Sequence, residues 1–266
     1  MGKVIAIGNK KGGVGKTTTS INLGVALSRK GKKVCLIDFD PQGNLTTGLG
    51  FEKNMLNTIE TVLRYINLEA EFDPQEVIQH SEEGIDVVAS NKQLTAMEMY
   101  LTSVNGREFF LKKYLEQLKG DYDYILVDCG PALGTLMLNA LTAADRVIIP
   151  VEMQPYGTEG LQDMLEVAAM TKQGLNRELQ ISILYAIEDA QTKQSKEIRE
   201  AIEEAYGQHL HIMHNSIPRR NAISAAPGYG VSFFRYVEEI EKKRKRELIP
   251  ILDRYLSLAD EVIRLG

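Results

Sequence analysis

Short apolar runs recur along the chain, each closed by a glycine or a charged residue, and longer stretches with a helical repeat separate them. Six runs read as strands: KVIAIG (3–8), KVCLID (33–38), IDVVAS (85–90), YILVDC (124–129), RVIIPV (146–151) and QISILYAI (180–187). The first, fourth and fifth are almost continuously apolar, as strands covered on both faces must be. After the first, TTSINLGVALSRKG places Ile21, Val25 and Ser28, with Leu23 and Leu27, on one side of a helix that stops at Gly31. Strand–helix alternation predicts an α/β fold, a mostly parallel twisted sheet flanked by helices on both faces. The stretch 52–83 is the least periodic and is expected to form a helical excursion. No linker or internal repeat divides the 266 residues. Residues 1–266 are therefore expected to form one domain, with C-terminal helices over 232–265 packed on it.

Charge and composition narrow the partners. A formal net charge of −5 argues against whole-surface attraction to nucleic acid, so any DNA contact needs a local basic patch. No apolar run is long enough to span a bilayer, and VIAI before Gly8 is too short for a secretory signal. A cytoplasmic protein is expected. Cys35 and Cys129 lie far apart with no CxxC partner, which indicates neither a zinc framework nor a disulfide one.

The chemistry concentrates after the first strand. NKKGGVGKTT (9–18) runs from a strand into a helix, the setting a phosphate-binding loop requires. Gly12, Gly13 and Gly15 let the backbone turn its N–H groups, with those of Val14 and Thr18, towards phosphate, and the helix adds the positive end of its dipole. Lys16 is placed to reach the β/γ-phosphates and the Thr17 hydroxyl to ligate Mg²⁺. The pattern G-x-x-x-x-G-K-[ST] is not matched in full, because its first glycine falls on Lys10. A second carboxylate-bearing strand end, YILVDC, has the Walker B form, with Asp128 beside Mg²⁺ through water.

With Lys10 in place of glycine, KGGVGKT resembles the deviant phosphate loop of the ParA/MinD group of P-loop ATPases. The resemblance implies ATP and Mg²⁺ as cofactors and a nucleotide-sandwich homodimer when ATP is bound. In that group the lysine at the position of Lys11 reaches the phosphates of the partner's ATP, neutralising charge that grows in the transition state. Lys10 has no such role there and is expected to be solvated. IDFDPQGN (37–44) resembles the group's DxDPQGN segment. By that likeness Asp40 positions the attacking water and Asp38 supports the metal's water shell. The group's D-C-P-P reads D-C-G-P here, and Gly130 is expected to loosen the backbone after Asp128.

The likeness continues to about residue 230. PVEMQPYGTEGL (150–161) is similar to a segment that opens a helix in ParA proteins, and IPRRNAISAAPGYG (217–230) to one at the adenine edge. Pro218, Arg219, Arg220 and Asn221 are thereby the candidates for base and sugar contacts. ParA relatives bind non-specific DNA as ATP dimers and are stimulated by a ParB-like centromere-binding partner, which makes a weak ATPase for plasmid or chromosome segregation the leading expectation. Such a protein would associate with the nucleoid when ATP-bound. Candidate DNA contacts are Lys193, Lys196, Arg199, Arg220, Lys242, Lys243 and Arg244, acting on phosphate. An arginine of the ParA surface is replaced by Ala222, and the basic run 242–246 also reads as a charged helix face balanced by Glu238, Glu239, Glu241 and Glu247. The alternative is therefore a regulatory or positioning switch of the same fold that binds a protein instead of DNA. The final helix carries Glu247, Asp253, Asp260 and Glu261 against Arg254 and Arg264, so no membrane attachment is expected.

Overall fold

The computed structural model describes residues 1–154, 159–189, 192–240 and 242–266, with the side chains of Glu159 and Lys242 also outside the description. Its strands are β1 (Lys3–Ile7), β2 (Val34–Phe39), β3 (Ile78–His80), β4 (Asp86–Val88), β5 (Tyr124–Cys129), β6 (Arg146–Glu152), β7 (Gln180–Ala186) and β8 (His211–Ile212). The helices are α1 (Lys16–Arg29), α2 (Asn44–Gly48), α3 (Ile59–Asn67), α4 (Gln93–Leu101), α5 (Phe110–Leu118), α6 (Thr135–Ala143), α7 (Glu159–Gly174), α8 (Lys193–Tyr206), α9 (Asn221–Ala225), α10 (Phe233–Arg235) and α11 (Lys245–Leu265).

The strands form one sheet in the order β3-β4-β2-β5-β1-β6-β7-β8, parallel throughout except for β3 against β4. Every residue of β2 and β5 is buried, which is why these strands need no polar alternation. Side chains of β1 divide between the two layers: Val4 and Ala6 join the core with α5 and α6, Ile5 and Ile7 the core with α1 and α11. From β1 the chain crosses to β2 on one side, and from β5 it crosses back over β1 to β6. The connection after β1 therefore opens at the point where strand order reverses, the usual ligand crevice of an open α/β sheet.

Two expectations change. The sequence pattern predicts an apolar stripe on α1, yet Ile21 to Leu27 are all buried because the sheet lies on one side and α11 on the other. Asn22 is satisfied in that interior: its Nδ2 donates to the Thr18 carbonyl (2.8 Å) and its Oδ1 accepts from the Phe233 N–H (2.8 Å). Gly24 lets helix and sheet approach, since a Cβ there would stand 2.7 Å from Leu36. The stretch 52–83 holds a helix only over α3, and its end pairs as β3, a three-residue antiparallel edge too short and too exposed to show a pattern. Among the described residues no helix is long and apolar enough to cross a membrane.

Candidate functional site

Residues 8–15 connect β1 to α1. Gly13 (φ 75°) and Gly15 (φ 87°) are left-handed, a backbone that side chains resist, and Gly15 caps α1. Asn9, fully buried, ties the loop down: its Nδ2 donates to the Pro150 carbonyl (2.7 Å) and its Oδ1 accepts from the Lys11 N–H (2.9 Å). The start of α7 presses on the same point. A Cβ on Gly160 would lie 2.6 Å from Asn9 Oδ1 and 2.9 Å from Lys11 Cβ, so the glycine of the EGL segment is what admits α7.

Three lysines leave this loop by different routes. Lys16, buried, turns its Nζ back to the Lys11 carbonyl (2.9 Å). Burial lowers its pKa, against the opposing pull of Asp128, Cys129 and Asp40, so the ammonium is short of negative charge and suited to receive phosphate. Lys11 places its Nζ 3.3 Å from Glu152 Oε2, and Arg219 holds the other oxygen of that carboxylate at 2.7 Å. Lys10 is not simply solvated as expected. Its Nζ meets Asp163 of α7 at 2.6 Å, a second tether between the loop and that helix.

The acidic residues come from adjacent strand ends. Sheet register sets Asp38 of β2 directly beside Asp128 of β5. Both are fully buried, and burial pushes Asp38 up to about 6 and Asp128 up to about 7, the latter helped by the Asp38 charge. Asp38 spends its oxygens inside the chain: Oδ2 accepts from the Thr46 N–H (2.8 Å) and hydroxyl (2.7 Å), Oδ1 from the Asp40 N–H (3.3 Å). It thus anchors α2 and the approach to Asp40. Asp128 Oδ1 accepts from Ser20 Oγ (2.7 Å), and the Thr17 hydroxyl beside it works with Ser20 against the upward push on the carboxyl. Its Oδ2 is buried without a hydrogen-bond partner among the described residues. An orphaned carboxylate oxygen beside Thr17, pushed up by like charge, fits a divalent cation, and Mg²⁺ suits an all-oxygen donor set.

Asp40, also buried, accepts the Gln42 N–H at 3.0 Å and stands beside Gly130. Together with Gly12, Gly13, Lys16, Thr17 and Pro131 it lines one cavity of about 480 Å³. A second, of about 260 Å³, is lined by Gly13, Gly15, Thr18, Glu152 and Pro218–Asn221. Gly13, Gly15, Thr18, Ile187 and Ser224 border both, so the glycine loop lies between a carboxylate side and the Pro218–Asn221 side of one cleft. Ile187 sits there with φ 52°, an uncommon backbone for a β-branched residue.

The proposed DNA contacts do not gather in one place. Arg220 is exposed and lines a surface pocket with Arg219 and Arg244, the last also paired with Glu247. Lys243 and Lys196 are exposed, and Lys193 pairs with Glu197. Arg199 turns inward: its guanidinium is 2.6 Å from buried Glu188 and 4.2 Å from the centre of the Tyr185 ring, so it is a structural residue. Lys242's side chain and residues 155–158, part of the segment read as opening a helix, lie outside the described residues. Sequence reasoning passed over Asn9, Ser20, Thr46, Glu152 and Ile187. Glu152 carried a signal, as a lone charge at the carboxyl end of an apolar strand.

A lysine-bearing glycine loop at the strand-order reversal, with carboxylates on neighbouring strand ends, defines a P-loop nucleotide-binding protein. An AAA domain family model matches residues 2–181. The sporulation initiation inhibitor protein Soj of Bacillus subtilis is 40% identical over the whole of both chains. The chromosome-partitioning ATPase Soj of Treponema pallidum is 36% identical over 93% of this chain and 95% of its own. Among solved structures, cobyrinic acid a,c-diamide synthase from Mycobacterium smegmatis, with bound ATP analogue and magnesium, superposes with a TM-score of 0.77 at 31% identity, over 90% of this chain and 97% of that one. The chain belongs to the Soj/ParA family of chromosome-partitioning ATPases.

Proposed function

We propose that this chain is a DNA-partitioning ATPase in which Mg²⁺ and ATP drive a sandwich dimer, the dimer binds non-specific DNA, and a ParB-like partner stimulates hydrolysis. The observation that carries the reading is the division of labour among the loop lysines. Lys16 stays within its own loop, while Lys11 holds its ammonium on Glu152, available to a second nucleotide. Thr17 would ligate Mg²⁺, with Asp128 and Asp38 holding it through water, and the ion would supply charge neutralisation to the phosphates. Glycine-loop N–H groups and Lys16 bind and orient the phosphates, Asp40 positions the attacking water, and Pro218, Arg219, Arg220 and Asn221 face the base and sugar. Lys11 then adds charge from across the dimer.

Exposed Arg220 beside Arg244 supports DNA phosphate contact. Two observations favour the second reading, a switch that binds a protein instead. Ala222, at the place of a ParA surface arginine, is buried, and Arg199 is turned inward. A gel shift of ATP-loaded chain on arbitrary duplex, repeated at rising salt, tests the proposal. An ATP-dependent shift that weakens with salt is expected, and Arg220→Ala should reduce it; no shift at low salt refutes DNA binding and leaves the protein-binding switch.

A further inference from the structure

Three of the chain's four histidines lie within six residues, in the sequence HLHIMH (209–214), and the nucleotide cleft uses none of them. Two converge with an acidic side chain from the end of the chain. His211 Nε2 lies 3.1 Å from Glu261 Oε1, and His214 Nδ1 lies 2.8 Å from the same oxygen. All three donor atoms fall within 4.8 Å of one another. The residues come from three places: His211 from edge strand β8, His214 just beyond it, Glu261 from α11.

The carboxylate is held before any ligand arrives. Its Oε2 accepts from the Asn215 N–H (3.3 Å) and side-chain amide (3.0 Å), and Oε1 accepts from the His214 N–H (2.9 Å). A buried, oriented carboxylate with backbone support is the outer-shell arrangement that raises metal affinity. Donor spacing also fits. Zinc bonds of about 2.0–2.1 Å in a tetrahedron set neighbouring ligands about 3.3 Å apart; the two imidazole–carboxylate hydrogen bonds, 3.1 Å and 2.8 Å, lie near that spacing, and the two imidazole nitrogens lie within 4.8 Å of each other. Two imidazole nitrogens and one carboxylate oxygen suit zinc or its neighbours in the first transition row, not Mg²⁺ or Ca²⁺. His214's side chain is 81% exposed, which leaves the fourth position open to water.

We propose that His211, His214 and Glu261 form a zinc site with three protein ligands and a solvent-open fourth position, stapling β8 to α11. Because α11 covers α1, the helix that carries Lys16 and Thr17, metal at this point fastens the layer behind the phosphate loop. The test uses the full-length, untagged chain, stripped with chelator and free of nucleotide, titrated with Zn²⁺ by calorimetry and with Co²⁺ by visible absorption. One Zn²⁺ per chain is expected, with the intense bands of tetrahedral Co²⁺ and a rise in Tm on adding zinc. His214→Ala, at an exposed position, should fold normally, lose the Co²⁺ bands and weaken Zn²⁺ binding by more than about tenfold, since loss of outer-shell support alone costs about 10–100-fold. His211→Ala should do the same. Absence of saturable binding at one equivalent, or undiminished binding in either variant, overturns the site.

Discussion

Lys11 rests on Glu152: its ammonium lies 3.3 Å from Oε2 of that carboxylate, at the end of the strand next to its own. In the proposed dimer this lysine serves the partner's nucleotide, so the ion pair must open as the dimer closes. Glu152 is thereby a brake on dimerisation. Partly exposed ion pairs are worth about 0.2–1 kcal/mol. Glu152→Gln should therefore lower the ATP concentration at which the chain sediments as a dimer, by up to about fivefold. Unchanged or weaker assembly would show that the contact restrains nothing.

Lys11→Ala removes the trans charge without touching Lys16 or the glycines that hold phosphate. Partner-stimulated hydrolysis should fall to the unstimulated rate, the loss expected when an in-trans cationic group is removed. ATP binding, followed with a fluorescent analogue, should survive within a few-fold. Equal losses in binding and turnover would place Lys11 in its own subunit's site instead.

Asp40→Ala should separate assembly from hydrolysis. Asp40 lines the carboxylate side of the cleft and, among the described residues, its carboxylate bonds locally, to the Gln42 N–H, so its loss leaves the loop intact. ATP should then trap a dimer of twice the monomer mass that persists for hours, with release of phosphate below detection. A variant that stays monomeric in excess ATP would sink the sandwich mechanism.

Asp128 gives a pH signature. Burial raises its pKa from 3.8 in the unfolded chain to about 7 in the fold. Between those values the folded chain binds the proton more tightly, so stability is lost as pH rises through the window. Asp128→Asn removes that loss. In magnesium-free, nucleotide-free buffer the variant's Tm advantage over wild type should grow from about pH 4 to about pH 7 and level off above. Adding Mg²⁺ and ATP should reverse the order, stabilising wild type far more. A gap independent of pH would mean that Asp128 is ionised at no cost in the apo fold.

Much of this arrangement was legible because its signals are local. Buried strands announce themselves as apolar runs, and GGVGK after such a run admits few other structures. Carboxylates at strand ends, Asp38, Asp40 and Asp128, follow from the same pattern. What escaped depends on contacts distant in sequence. Asn9 and Glu152 act across the β1–β6 pairing, and Lys10 reaches Asp163 on a helix 153 residues away. β3 and β8 are edges of two or three residues whose pairing is set by the sheet, not by their own side chains. Nothing in QISILYAI marks Ile187 as left-handed, since a β-branched residue after a strand reads as more strand. The roles of Arg199 and Ala222 turned on burial, which a charge count does not register.

Gly130 shows most clearly how structure alters a sequence reading. The change from proline to glycine after Cys129 suggested a looser backbone near Asp128. In the fold the missing side chain has a specific neighbour: a Cβ at this position would lie 3.3 Å from both Cγ and Oδ1 of Asp40. Gly130 is outside the left-handed region, so alanine is acceptable to the backbone and only the carboxylate has to give, by a few tenths of an ångström. A full ångström of misplacement can cost about 10²-fold in rate, and this smaller shift should cost about threefold to tenfold. Gly130→Ala is therefore expected to lower kcat for ATP by that factor while leaving KM and ATP-driven dimerisation unchanged. Combined with Asp40→Ala it should add nothing, because the side chain it displaces is gone. A dimer that assembles less readily in the double variant than in Asp40→Ala alone would show that Gly130 acts through the backbone after Asp128 and not through Asp40.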